Sequence, residues 1–183
     1  MKRGTALFLL LATFFLPEAA LARPKSIPDP IHYEAALALI HFPWQQLGYE
    51  IVFMPPQRGY RAMTFARTHR IEIYVRPGDT AELLAFDIAH ELGHVIDLTQ
   101  NTSDIRAKWM ESRGIDPSTP WFGCNRCSDL KTPAGDFAET FALLLFGAKN
   151  YSGKIAPAPT KDQIPVLYEF FPKEWFTSTS QAN

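Results

Sequence analysis

The sequence predicts a small mixed α+β domain. Short runs of β-branched, aromatic and aliphatic residues in the first half of the chain are typical of strands, and longer runs with helical spacing precede and follow them. The strand segments are 49–54, 61–66 and 71–75, and the last one, Ile-Glu-Ile-Tyr-Val, alternates strictly between apolar and polar. The predicted order is a helix, a small sheet, a long helix, a loop and a further helix, which favours helices packed on one mixed sheet.

The helices are predicted from their capping and stop residues. A threonine, serine or aspartate before an apolar periodic run indicates a helix start, and glycine or proline after it indicates the end. The predicted helices are 31–42 before Pro43, Asp79 or Thr80 to about Leu98, Thr102 or Ser103 to Arg113 before Gly114, and one opened by the aspartate or glycine before Phe137 and running to Gly147. The segment 115–134 is a structured loop, and 164–171 is a final apolar segment.

The first 22 residues have the layout of a secretory signal peptide. Lys2 and Arg3 precede an apolar run over 7–16, and Ala20-Leu21-Ala22 forms a cleavage signal of the A-x-A type. The apolar run is too short to span a bilayer comfortably, which favours removal over retention as an anchor. We therefore expect a secreted or periplasmic protein without a stable membrane anchor, whose mature chain, 23–183, forms one domain.

The charge composition argues against partners that are recruited by a basic surface. The formal net charge of the whole chain is −1, so no basic field is available to recruit nucleic acid or an anionic membrane. The mature length suits one hydrophobic core of ordinary size. We expect a monomer that binds a peptide or protein substrate and no nucleic acid.

The two cysteines, Cys124 and Cys127, lie close together in Cys-Asn-Arg-Cys. In an exported protein a disulfide is the simplest interpretation. A reduced structural pair and a redox or metal-binding pair are the alternatives, although no surrounding βαβ pattern favours the redox role.

The sequence His90-Glu91-Leu92-Gly93-His94 carries the main functional signal. On a helix, residues four apart project from one face, so the two imidazoles can bind one metal ion while Glu91 reaches a water beside it. The alternative is two surface histidines on an amphipathic helix, and the capped helical context argues against it. Asp97 lies three residues beyond His94, close enough to orient an imidazole, although a solvated aspartate near the helix end is the alternative.

A catalytic zinc site takes three protein ligands and a water, so a third ligand is needed. The helix after the loop offers Asp136 and Glu139 at helical spacing, and either carboxylate can supply it. In this scheme Glu91 is the general base and then the general acid of a hydrolysis.

At these residues the chain resembles the gluzincin metallopeptidases, in particular the lethal-factor-like and Pro-Pro-endopeptidase-like group. That group has His-Glu-x-x-His-x-x-Asp followed by a helix reading Glu-aromatic-Phe-Ala-Glu-x-Phe, and the matching segments here are 90–97 and 137–141. The resemblance covers roughly 70–147. The family's third ligand falls on Gly135, which cannot ligate. We therefore prefer Glu139, which lies on that face one turn later and has the longer side chain, over Asp136.

The resemblance implies a zincin-like minimal domain, with a small mixed sheet packed on the motif helix and a third-ligand helix behind it. It also implies that the strand before the motif helix, 71–75, lines the cleft and pairs with substrate. His69, Tyr74 and Trp121 are available as oxyanion donors, although packing roles are the alternative for each. The expected function is that of an exported Zn²⁺-dependent endopeptidase. A non-catalytic zinc-binding or adhesion domain and a zinc amide hydrolase of cell-wall material are the alternatives.

Overall fold

The computed structural model describes residues 31–124 and 127–176. The predicted signal peptide, residues 1–22, lies outside the described residues. Within the described part of the chain, no helix combines the length and the apolar character needed to cross a membrane. The strands are β1 (Glu50–Met54), β2 (Ala62–Phe65) and β3 (Arg70–Tyr74), and the α-helices are α1 (Ile31–Ala38), α2 (Ala81–Gln100), α3 (Ser103–Arg113), α4 (Pro133–Phe146) and α5 (Ile164–Tyr168).

The predicted mixed α+β class is confirmed. The sheet has the order β1-β3-β2, with β1 parallel and β2 antiparallel to β3. The strict alternation of β3 buries Ile71 and Ile73 completely on the face that packs against the helices. Because β3 is hydrogen-bonded on both sides, β2 is an edge of the sheet.

The motif helix α2 begins where the sequence predicts. The hydroxyl of Thr80 accepts a hydrogen bond from the Leu83 N–H, and Glu82 lies in the positively polarised first turn. Twelve of its twenty residues are buried, so the helix runs through the protein between the sheet and α4. Its main apolar contacts are with a cluster that also includes residues of the sheet, α4 and the C-terminal segment, among them Ile71, Ile73, Phe137, Phe141, Leu167 and Phe171.

The two helices α2 and α4 run antiparallel and lie unusually close together. A Cβ placed on Gly93 would lie 2.7 Å from the Cα of Ala138, closer than real side chains pack. Only glycine therefore permits this approach of the two backbones. The contact fixes the position of α4 along α2, opposite the two histidines.

Helix α4 starts earlier than predicted. The sequence predicts a start at the aspartate or glycine before Phe137. In the structure Thr132 is the N-cap and Pro133 is the first helical residue. The Thr132 hydroxyl accepts from the Gly135 N–H at 3.0 Å, and proline fits the first position because its missing N–H has no partner there. A threonine followed by proline was thus the true start signal. The start at Pro133 places Asp136 in the first turn of the helix, where its side chain is buried.

Candidate metal centre

Two imidazoles of α2 converge on one carboxylate oxygen. The Nε2 atoms of His90 and His94 lie 2.9 and 3.1 Å from Oδ2 of Asp129. The ligand atoms of these three residues lie within 4.8 Å of one another, so they can bind a metal ion, and we call them the metal-binding group. His90 is buried, His94 is partly buried and Asp129 is on the exposed side, which leaves the group open to the cleft.

The third member of this group was not predicted. Asp129 begins a short 3-10 helix, Asp129–Lys131, in the loop before α4. The sequence predicts a ligand from carboxylates with helical spacing. Asp129 lies in a loop, where no periodic pattern identifies it. Gly135, at the position of the family's third ligand, was the available indication that the ligand comes from elsewhere. Its missing side chain makes room for the Asp129 backbone.

Glu139 lies behind His90 rather than in the converging group. Its Oε2 is 2.7 Å from Nδ1 of His90, and its Oε1 accepts hydrogen bonds from the N–H and the hydroxyl of Ser152. An ionised carboxylate can only accept, so Nδ1 is the protonated nitrogen of that contact. This proton assignment directs the Nε2 lone pair of a neutral His90 into the cleft, which is the orientation that metal-bound histidines need.

Asp136 is turned away from the histidines. It is fully buried and accepts hydrogen bonds from Nε and Nη2 of Arg113 at 2.8 and 2.9 Å and from Nε1 of Trp109 at 3.0 Å. A carboxylate bound in this way neutralises a buried guanidinium and joins α3 to α4. Of the two candidate ligands, Glu139 therefore contacts a histidine, whereas Asp136 is hydrogen-bonded to buried residues of α3.

The donor set itself fits a cation. If both histidines were neutral with their lone pairs towards the cleft, three acceptor atoms would face one another with nothing between them. A divalent metal ion or added protons are the species that relieve such a contact. Burial acts against a charged His90, but its hydrogen bonds to Asp129 and Glu139 outweigh burial and raise its pKa well above the usual value. For Asp129, partial burial acts to raise the pKa, but the hydrogen bonds from both histidines hold it far below the ordinary range.

Gly135 is required for this arrangement. A Cβ at this position would overlap the carbonyl group of Asp129. We expect Gly135→Ala to push the Asp129 segment away from the histidines and to weaken metal binding, which titration of the chelator-treated protein would measure. Ala107→Ser is the control, because it also adds one side-chain atom, but at an exposed position of α3 away from the histidines. Unchanged affinity in Gly135→Ala would mean that the loop adapts without moving the carboxylate.

Glu91 lies beside the metal-binding group and faces the edge strand. Its Oε2 accepts a hydrogen bond of 2.7 Å from the hydroxyl of Thr64 in β2. Both side chains line a cleft of about 730 Å³ that also contains His90, His94 and Asp129. The motif glutamate thus opens onto the same space as the two histidines, as the helical spacing predicts.

The cleft-lining strand is β2, not β3. The sequence-based expectation gave this role to 71–75, but β3 is the central strand and its two edges are occupied by β1 and β2. Ala62, Met63 and Thr64 of β2 line the cleft instead. Adjacency in sequence to the motif helix did not indicate adjacency to the site, because the chain returns through the sheet centre before α2.

Asp97 has structural partners rather than an imidazole. It is completely buried and accepts hydrogen bonds from Arg106, Trp121 and Asn101 at 2.9, 2.8 and 3.0 Å. It therefore fastens α3 and the following loop to the end of α2. The solvated alternative is also excluded, because a carboxylate buried this deeply needs such partners.

None of the three candidate oxyanion donors lines the cleft. His69 stacks on Tyr49, Tyr74 donates to Glu72 at 2.8 Å, and Trp121 donates to Asp97. These are packing and structural roles, which were the alternatives for each residue.

The disulfide prediction is confirmed. Cys124 and Cys127 are bonded, with Cα atoms 5.1 Å apart. Cys127 is two residues from Asp129 and also lines the cleft. The crosslink therefore restrains the loop that carries the third member of the metal-binding group.

Comparisons of this chain with protein-family models, with curated proteins and with solved structures found no match. The arrangement of His90, His94, Asp129 and Glu91 is therefore the feature from which a function can be inferred.

Proposed function

We propose that this protein is an exported, zinc-dependent endopeptidase of the zincin type. One observation carries the proposal: a glutamate lies directly beside a converging group of two imidazoles and one carboxylate, and all four side chains open onto one cleft. A purely structural metal site is closed by four protein ligands and has no use for a neighbouring base. Three ligands and an adjacent carboxylate suit hydrolysis.

The ligand types support zinc. Two histidines and one carboxylate are a common ligand set of catalytic zinc sites, and a mixed nitrogen and oxygen set disfavours magnesium and calcium. His90, His94 and Asp129 would bind the ion, and Glu139 would hold His90 in the binding tautomer. When bound, zinc acts as a Lewis acid that acidifies a water and polarises a carbonyl group.

The chain's own residues supply the proton transfers. As the water oxygen attacks the peptide carbonyl carbon, Glu91 takes a proton from the water. The same carboxyl group then gives that proton to the departing amine nitrogen as the C–N bond breaks. Glu91 is suited to both steps because it faces the cleft from the helix that also carries the two histidines.

The edge strand offers a way to hold an extended peptide. The Tyr74 N–H bonds to the Arg61 carbonyl, and the antiparallel register pairs Ala62 with Ile73 and Thr64 with Ile71. Since bonded and non-bonded pairs alternate in antiparallel sheets, the N–H and C=O groups of Ala62 and Thr64 point away from β3. These groups can pair with an added substrate strand beside Glu91.

Export is part of the same proposal. A disulfide is stable mainly in oxidising compartments, and the sequence begins with the features of a signal peptide. We propose a secreted or periplasmic protein that acts as a monomer on peptide or protein substrates.

Glu91→Gln tests the enzymatic role. We expect the variant to retain zinc and to lose about 10²- to 10⁴-fold in turnover, because general acid–base catalysis contributes that much. The measurement is zinc content by elemental analysis together with hydrolysis of an unfolded protein, a peptide mixture and peptidoglycan fragments. Glu111→Gln is the matched control, since it makes the same change on an exposed face of α3.

The outcomes separate the candidate functions. Cleavage of proteins or peptides by the zinc-loaded protein, lost on chelation and in Glu91→Gln, supports the endopeptidase. Cleavage of peptidoglycan fragments alone would identify the amide hydrolase. Stoichiometric zinc with no hydrolysis of any substrate would leave the non-catalytic binding domain.

A further inference from the structure

We propose that Thr64 is a positioning residue that holds the carboxylate of Glu91 in register with the substrate-binding edge of β2. The inference rests on the proposed function, because it assigns a role within that same site. It comes from a contact between two elements that are distant in sequence and meet at the cleft.

The contact is a short hydrogen bond between a neutral donor and a charged acceptor. Oγ1 of Thr64 lies 2.7 Å from Oε2 of Glu91 and 3.2 Å from the Glu91 carbonyl oxygen. A hydroxyl has one proton, and the shorter distance to the carboxylate makes Oε2 the better acceptor. Among the described residues, Thr64 is the one hydrogen-bond donor to this carboxylate.

The bond restricts the glutamate side chain. A glutamate with a free carboxyl group rotates about its last torsion, which is broad and roughly two-fold. With Oε2 bound to Thr64, rotation of the carboxyl group is restricted, and Oε1 is the oxygen better placed to accept a proton. A base must lie within hydrogen-bond reach of the proton that it removes, so a set orientation favours the reactive geometry.

Thr64 also belongs to the strand that would bind the substrate. Its backbone N–H and C=O point towards the open edge of β2, whereas its side chain reaches α2. One residue therefore touches the substrate strand through its backbone and the general base through its side chain. This places the base at a defined position along the bound peptide.

Thr64→Val is the informative variant. Valine has nearly the same shape and favours strands, so the sheet and the backbone pairing should persist while the hydrogen bond is lost. We expect kcat to fall about 10- to 100-fold with KM and zinc content nearly unchanged, because a hydrogen bond to a charged group makes a contribution of that order. Thr64→Ser restores the hydroxyl and should recover most of the lost rate.

Thr68→Val is the matched control, since it removes a hydroxyl from an exposed turn just beyond β2. A higher KM with unchanged kcat in Thr64→Val would overturn the positioning role and leave a role in substrate pairing alone. Equal loss in the serine and valine variants would also overturn it, because the hydroxyl would then be irrelevant.

A readout independent of turnover keeps the inference separate from the proposed enzyme activity. The carboxyl ¹³C signal of Glu91, assigned by its absence in Glu91→Gln, should shift in Thr64→Val and stay near its wild-type position in Thr64→Ser and Thr68→Val. An unshifted signal in Thr64→Val would refute the inference even in a fully active enzyme. A shifted signal in a zinc-loaded protein without hydrolysis would support the contact and contradict the proposed function.

Discussion

Replacing Asp129 with alanine should remove stoichiometric zinc from the protein while leaving its fold intact. Loss of one of three ligands should weaken zinc binding by more than the roughly 10- to 100-fold typical of changes to an outer hydrogen-bonding partner. The side chain is about half exposed, so the fold has little need of it. Competition titration against a chelator of known affinity measures the effect, and circular dichroism checks the fold.

Glu139→Gln provides the comparison within the same site, because this side chain touches His90 but lies outside the converging group. We expect a smaller loss of affinity, within about 10- to 100-fold. Asp162→Ala, at an exposed position, controls for removal of a negative charge. If Asp129→Ala kept full zinc and Glu139→Gln lost it, Glu139 would be the third ligand, as the sequence had suggested.

Replacing Asp136 with alanine should have the opposite profile, with large loss of stability and little effect on zinc binding by the folded protein. The change leaves the guanidinium of Arg113, itself only 4% exposed, without its carboxylate partner. Breaking one side of a buried ion pair lowers the free energy of unfolding by about 3–5 kcal/mol. Urea unfolding of the zinc-free protein measures this term without a contribution from metal binding.

A double variant separates the charge effect from a general packing defect. Replacing both partners, as Arg113→Met with Asp136→Leu, removes the uncompensated charge and should recover much of the lost stability. Lys173→Ala is a further comparison, since its ion pair with Glu169 is exposed on both sides and its loss should cost little. Normal stability of Asp136→Ala with lost zinc would return Asp136 to the ligand set.

The predictable part of the fold depended on local signals. Thr80 and Thr102 each cap a helix through their hydroxyl groups, and the alternation of β3 buries the residues that the pattern indicates. These features involve neighbours in sequence, so they can be inferred without knowing the tertiary structure. The strand order could not be inferred, because it depends on how the chain crosses between β1 and β3.

The candidate site likewise has residues whose placement could be predicted from local geometry and residues whose placement could not. His90, Glu91 and His94 share a face because of helix geometry alone, which is why their placement in one cleft could be anticipated. Asp129 reaches them only because the loop before α4 folds back over Gly135, a contact between backbone atoms that no sequence pattern describes. The choice between Asp136 and Glu139 depended likewise on Arg113, a residue of another helix.

Gly93 has a cost and a benefit for the metal-binding group. In a helix interior, glycine is less favourable than alanine by about 0.8–1.0 kcal/mol, so α2 is intrinsically weaker in the middle of its own motif. In exchange, the backbones of α2 and α4 meet at Ala138, one residue from the carboxylate that holds His90. Helix packing therefore orders the two histidines without any ion, so binding of a metal ion would lose little free energy to immobilising them.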